Sequence, residues 1–132
     1  MDRRTRLWFD RLLEDVLASL PDRVKEMVSA IPLYVEDYPS RKLARELGLR
    51  RRSELCGLFS GVPLHEKRLD EPTVMLPDRV TLFREGILAA AAAGRGRITE
   101  EAVREEIRIT LLHEYGHYYG MSEEELENYG YG

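Results

Sequence analysis

Apolar positions recur at steps of three and four along most of this chain and at steps of two in a few short places, a pattern of helices around a small sheet. Leu7, Trp8, Leu12, Leu13, Val16, Leu17 and Leu20 mark an amphipathic helix from about Arg4 to Ser19, which Pro21 ends. Pro21-Asp22 opens a second short helix through Met27 and Ala30, whose role is packing. Ile31 to Glu36, rich in β-branched and aromatic residues, predicts a strand closed by Pro39, and Lys42 to Leu47 a helical turn before Gly48. Leu55 to Phe59 predicts the next strand, where Gly57 and Gly61 point to a turn or a close backbone approach. Val80 and Leu82 alternate with Thr81 as in a strand over Arg79 to Arg84. Glu85 to Ala93 suits a short alanine-rich helix, ended by Gly94 and Gly96.

The strongest periodic stretch follows. Thr99 to Glu114 reads as a helix with Thr99 as N-cap and with Glu100 and Glu101 where the helix dipole favours anions. Val103, Ile107, Leu111, Tyr115 and Tyr118 give it a core-facing stripe, and His113 and His117 fall off that stripe. Gly120 is the expected stop. Ser122 to Asn128 suits a last short helix, Ser122 and Glu125 forming its capping box. The architecture expected is α+β: a mixed or antiparallel sheet of three to four strands packed with helices, the histidine helix among them.

Length and charge narrow the picture. With 132 residues, 43% of them hydrophobic, the chain suffices for one core and is too short for two ordinary domains, so one domain over residues 1–132 is expected. The net charge of −4, acids and bases well mixed, does not mark a nucleic-acid binder. Arg50, Arg51 and Arg52, with Arg41 and Arg45 nearby, form the basic cluster of note. A solvated loop beside Glu46 and Glu54 accounts for it better than phosphate contact, because no aromatic stacking platform adjoins it. A single cysteine, Cys56, excludes an internal disulfide and reads as a small buried apolar residue of a strand. The N-terminal MDRRTRLWFD lacks the apolar run of a signal peptide, and Ile87 to Ala93 is too short to cross a bilayer, so a soluble cytoplasmic protein with no membrane partner is expected.

Chemistry concentrates in His113-Glu114-Tyr115-Gly116-His117. Between Ile109 and Ser122 the only carboxylate is Glu114, and in so apolar a run it needs a charge or hydrogen bond to answer it. A divalent metal fills that need. Residues four apart lie one turn apart on a helix face, so His113 and His117 can offer ring nitrogens to one ion. This is the HExxH signature of zinc-dependent hydrolysis, with the histidines as ligands and Glu114 as general base. The continuation HEYGHYYGMSE matches HExxHxxGxx with an acid at the place of a third histidine. Catalytic zinc takes three protein ligands and a water, and Glu123 is the favoured third, with Glu124, Glu125, Glu127 and the loop histidine His65 as alternatives. Tyr118, Tyr119, Tyr129 or Tyr131 offers oxyanion stabilisation, although packing accounts for most of them.

Across most of its length the chain resembles the small zincin-like metallopeptidases. The resemblance rests on the opening helix ending Ala18-Ser19-Leu20-Pro21, on Val35-Glu36-Asp37-Tyr38-Pro39, on Gly57-Leu58-Phe59-Ser60-Gly61-Val62-Pro63-Leu64, on Leu76-Pro77-Asp78-Arg79-Val80-Thr81-Leu82-Phe83-Arg84 and on the histidine helix. Family members usually carry Asp where this chain has Glu123. The resemblance implies a minimal zincin fold, a zinc site and an edge strand, either Arg79 to Arg84 or Gly57 to Val62, that pairs with extended substrate. The expected activity is hydrolysis of a peptide or protein substrate. The rival is a metal-stabilised binding or regulatory domain with little turnover; nucleic-acid binding through the arginine cluster ranks last.

Overall fold

The structure, a computed structural model, describes residues 1–61 and 78–128. In chain order it contains α1 (Arg3–Ser19), α2 (Asp22–Ser29), β1 (Leu33–Glu36), α3 (Arg41–Glu46), a 3-10 turn (Arg52–Glu54), β2 (Gly57–Ser60), β3 (Arg79–Phe83), α4 (Arg84–Ala92), α5 (Glu100–Tyr119) and α6 (Glu123–Asn128). The α+β expectation holds, with three strands among the described residues.

Local chemistry accounts for where these elements differ from the periodicity. Pro21 stands at the N-cap position of α2 instead of in its first turn. β1 starts two residues later than expected because the Ile31 N–H still bonds back to the Val28 carbonyl, at 3.5 Å, and Pro32 has no N–H to offer a ladder. β2 starts at Gly57, so Cys56 lies just outside the strand, although its carbonyl accepts from the Phe83 N–H at 2.8 Å. Ser40 caps α3 by accepting from the Leu43 N–H at 3.0 Å, which moves that helix one residue earlier than its apolar spacing suggests.

The sheet is mixed, in the order β1-β3-β2. β1 runs parallel to β3 and β2 antiparallel to it. Of the two candidate edge strands, β3 is therefore central and β2 is an edge among the described residues. Val80, Leu82 and Phe83 are buried, and Thr81 with them, so β3 is covered on both faces. One cluster of buried side chains joins Phe9, Leu12 and Val16 of α1 to Val80 and Leu82 of the sheet, Ile87 of α4, and Val103, Ile107 and Leu111 of α5.

Polar ties fix α1 across this core. The guanidinium of Arg84 spans Asp10 of α1 and Asp37, both at 3.0 Å, and Arg6 closes on Asp37 at 2.6 Å. Hydrogen bonds from Arg6, then from Arg84, hold the Asp37 carboxyl below the usual carboxylate range. Trp8 donates its indole N–H to Glu100 at the start of α5, at 2.8 Å.

Candidate metal centre

The histidine turn lies near the C-terminal end of α5. Thr99 caps this helix by accepting from the Ala102 N–H at 3.2 Å, and Gly120 ends it in the left-handed region at φ 66°. Val103, Ile107, Leu111 and Tyr115 of the expected stripe are buried, and the Tyr115 hydroxyl donates to the Ile31 carbonyl at 2.8 Å. That bond fixes the rotation of the helix at the motif. Burial of the phenol pushes its pKa far above the ordinary tyrosine value, so Tyr115 is a packing residue.

Rotation set in this way brings His113 and His117 together. Their ring centroids are 5.8 Å apart with planes tilted by 57°, His113 half-buried and His117 exposed. Two imidazoles one turn apart, one of them open to solvent, suit a shared ion with an accessible side. Gly116 between them is buried because α6 returns over it. A Cβ there would stand 2.8 Å from Leu126 Cδ2, so the glycine leaves room for the buried Leu126.

Glu114 faces the edge strand. Its Oε1 accepts from the Phe59 backbone N–H at 2.9 Å, which answers the carboxylate's need for a partner without a neighbouring cation. The sheet register explains why that amide is available. Phe83 donates to the Cys56 carbonyl, making that pair a hydrogen-bonded one, and antiparallel pairs alternate, so Gly57 and Phe59 turn their backbone groups away from β3. Beside this bond a cleft of about 310 Å³ is lined by Glu54, Leu55, Cys56, Gly57, Glu106, Thr110, His113 and Glu114 among others. Cys56 is half-buried in the cleft wall, not a core side chain of a strand as expected. Burial, with the nearby Glu106 and Glu114 charges, pushes its thiol up to about 11, so it is a poor nucleophile or ligand.

The remaining candidates divide clearly. Glu125 is engaged in the expected capping box: its Oε1 accepts from the Ser122 N–H at 3.3 Å, while Ser122 Oγ accepts from the Glu125 N–H at 3.1 Å. Glu124 and Glu127 are exposed. Glu123 opens α6, but its side chain lies outside the described residues, as do His65, Tyr129 and Tyr131. Tyr118 is half-buried, with its ring 5.5 Å from Phe59 and 4.8 Å from Tyr119, and the Tyr119 hydroxyl donates to the Met27 carbonyl at 3.3 Å. In the arginine cluster, Arg52 is committed to the Pro39 carbonyl at 3.0 Å and lies over the Tyr38 ring, while Arg50 and Arg51 are exposed. Sequence reasoning missed two partners of the motif, the Phe59 amide and Leu126. The signal for the first lay in Gly57, which marks a close approach without saying to what.

As a donor set, His113 and His117 fit a zinc ion. Among the described residues no group of three or more His, Cys, Asp or Glu side chains is gathered to hold a metal, and the geometry there offers the two imidazoles alone. Residues 28–131 of the sequence match the model of one family, the zincin-like metallopeptidases. The chain belongs to that family, whose description is that of a metallopeptidase with zinc as the metal implied in general. A search of curated proteins finds no match to the chain. No helix among the described residues is long and apolar enough to cross a membrane.

Proposed function

We propose that this chain is a zinc-dependent peptidase in which His113 and His117 hold the metal, Glu123 completes the protein ligands and Glu114 is the general base. The observation that carries the reading is the position of Glu114. Its carboxylate sits between the edge strand and the turn that presents both imidazoles, held by the Phe59 amide at 2.9 Å. Support for Glu123 comes from its place in α6. It stands three residues before Leu126, and helical spacing puts the two positions on the face that packs toward Gly116 of the histidine turn. Glu125 is spoken for by its capping box, which favours a neighbour as ligand.

A zinc ion held in this way supplies Lewis acidity toward a scissile carbonyl and lowers the pKa of an attacking water. Glu114 takes the proton of that water and passes it to the leaving nitrogen. The outward backbone groups of β2, apart from the Phe59 N–H that Glu114 holds, offer an extended peptide a strand to pair with, and the cleft beside Gly57 receives its side chains. Substrates are thus peptide or protein segments that can be drawn out straight. The hydrophobic cluster running from Phe9 to Leu126 supports one domain, and the lone cysteine supports a reducing, cytoplasmic setting; neither nucleic acid nor membrane is a partner in this reading.

The test joins zinc titration to hydrolysis of fluorescein-labelled casein. Glu114→Gln is expected to bind zinc as the parent chain does and to lose roughly 10²–10⁴-fold in turnover, because the amide matches the carboxylate in size and cannot accept the proton. Zinc binding without hydrolysis by the parent chain would favour the binding-domain alternative; full turnover in Glu114→Gln would remove Glu114 from the mechanism.

A further inference from the structure

Gly57 occupies the point where the edge strand crosses the histidine helix, and its contacts leave no space for a side chain. A Cβ built there stands 2.6 Å from Thr110 Cγ2, 3.2 Å from Glu114 Cγ and 3.3 Å from the Thr81 carbonyl oxygen. The first distance falls roughly 1 Å short of an ordinary carbon–carbon contact of about 3.5 Å. Thr110 cannot turn aside. It is buried, its Oγ1 donates to the Glu106 carbonyl at 2.8 Å, and a β-branched side chain on a helix has few rotamers. The backbone of Gly57 is ordinary, with no positive φ, so the glycine is required by proximity and not by conformation.

Two residues along the same strand, the Phe59 N–H meets Glu114 Oε1 at 2.9 Å. That distance tolerates little. Withdrawing β2 by roughly 1 Å takes the pair beyond the range of a hydrogen bond. From this juxtaposition we infer that Gly57 is a positioning residue for Glu114: by allowing β2 to lie directly on Thr110, it brings the outward Phe59 amide to the carboxylate and fixes the direction in which Glu114 presents its second oxygen. The inference rests on the reading of Glu114 as the base for its catalytic meaning, while the geometry it describes belongs to the chain itself.

The experiment measures the contact and the turnover separately. In the full chain labelled with ¹⁵N and ¹³C, a scalar coupling across the hydrogen bond should link the Phe59 amide nitrogen to the Glu114 side-chain carboxyl carbon. Gly57→Ala should abolish that coupling while the other β2–β3 amide signals persist. Adding Thr110→Ser, which deletes the obstructing Cγ2 and keeps the hydroxyl, should bring it back. With zinc-loaded protein and fluorescein-labelled casein, Gly57→Ala should lower kcat on the order of 100-fold with KM and zinc affinity unchanged, as misplacing a reacting group by an ångström does. Persistence of the coupling in folded Gly57→Ala overturns the inference, as does a rise in KM with kcat intact. Should Gly57→Ala fail to fold, Gly57→Ala/Thr110→Ser carries the test: folded with the coupling supports the inference, folded without it overturns it. Should the parent chain not cleave casein, the peptidase reading is what fails, and the coupling still decides the role of Gly57.

Discussion

On one flank of the histidine turn, Gly57 of β2 lies against Thr110 and Glu114 with no room for a methyl group; on the other, α6 is held to Gly116 by Leu126 and by a capping box at its own start. The β2 flank is sheet backbone, locked in register by β3, which is buried on both faces. The α6 flank is six residues of helix reached through a left-handed glycine. A helix so short has almost no stability of its own and owes its place to docking. The proposed base is thus set against a strand registered on a buried neighbour, whereas the proposed third ligand rides on a helix held by docking. Placement of Glu114 is built into the sheet; in this reading, completion of the ligand set depends on a segment that docks.

The largest effect expected on this contrast is loss of the ion itself. His117→Ala removes an exposed imidazole that packs little of the core, so zinc binding should vanish while the thermal midpoint of the metal-free chain moves little. Calorimetric titration and a melt of the chelator-treated protein check both halves. The same titration on Glu123→Ala and Glu124→Ala tests the α6 flank. A large loss of affinity in the first alone supports Glu123, the reverse transfers the role to Glu124, and no loss in either points to His65, Glu127 or another chain.

The β2 flank predicts protection. With its thiol pushed up to about 11 by burial and by the charges of Glu106 and Glu114, Cys56 holds roughly a hundredfold less thiolate near neutral pH than an ordinary cysteine. The sign is simple: a raised thiol value leaves the neutral, unreactive form dominant until the pH nears that value. Iodoacetamide at pH 8 should therefore label the native chain on the order of 100-fold more slowly than the urea-unfolded chain. Equal rates would mean that the flank opens freely.

Much of this was legible in the chain, and the illegible part has a physical reason. Spacing alone located α5, its cap at Thr99, its stop at Gly120 and the pairing of His113 with His117, because helix periodicity and capping are local. The capping box of α6 was legible for the same reason. Which strand forms the edge was not, since strand order depends on pairing between distant segments: Gly57 is paired with Leu82 and packed on Thr110. The partner of Glu114 was equally hidden, because a backbone amide leaves no mark in the residue that carries it. Ile31 was misassigned to a strand for a related reason, its apolar side chain serving the core while its carbonyl serves Tyr115.

Leu126→Ala and Glu125→Ala grade the α6 flank from its anchor to its cap. Deleting a buried leucine side chain costs about 2–5 kcal/mol where it cannot collapse, and Leu126 is the buried contact of α6 on Gly116, so the whole loss falls on docking. Amide exchange over residues 123–128 should approach that of a free peptide, and zinc affinity should fall by more than tenfold if α6 carries a ligand. Glu125→Ala removes the acceptor for both the Ser122 N–H and the Ser122 hydroxyl, a capping loss of about 1 kcal/mol, and so should lower zinc affinity about fivefold at most. Ser122→Ala removes the reciprocal bond to the Glu125 N–H, and with it the hydroxyl's bond to Glu125 Oε1, while leaving every carboxylate in place. Equal modest losses in the two variants identify Glu125 as a cap alone. A far larger loss in Glu125→Ala than in Ser122→Ala would make its carboxylate a metal ligand, and the α6 flank would then meet the ion through the third residue of its first turn and not through Glu123 at its start.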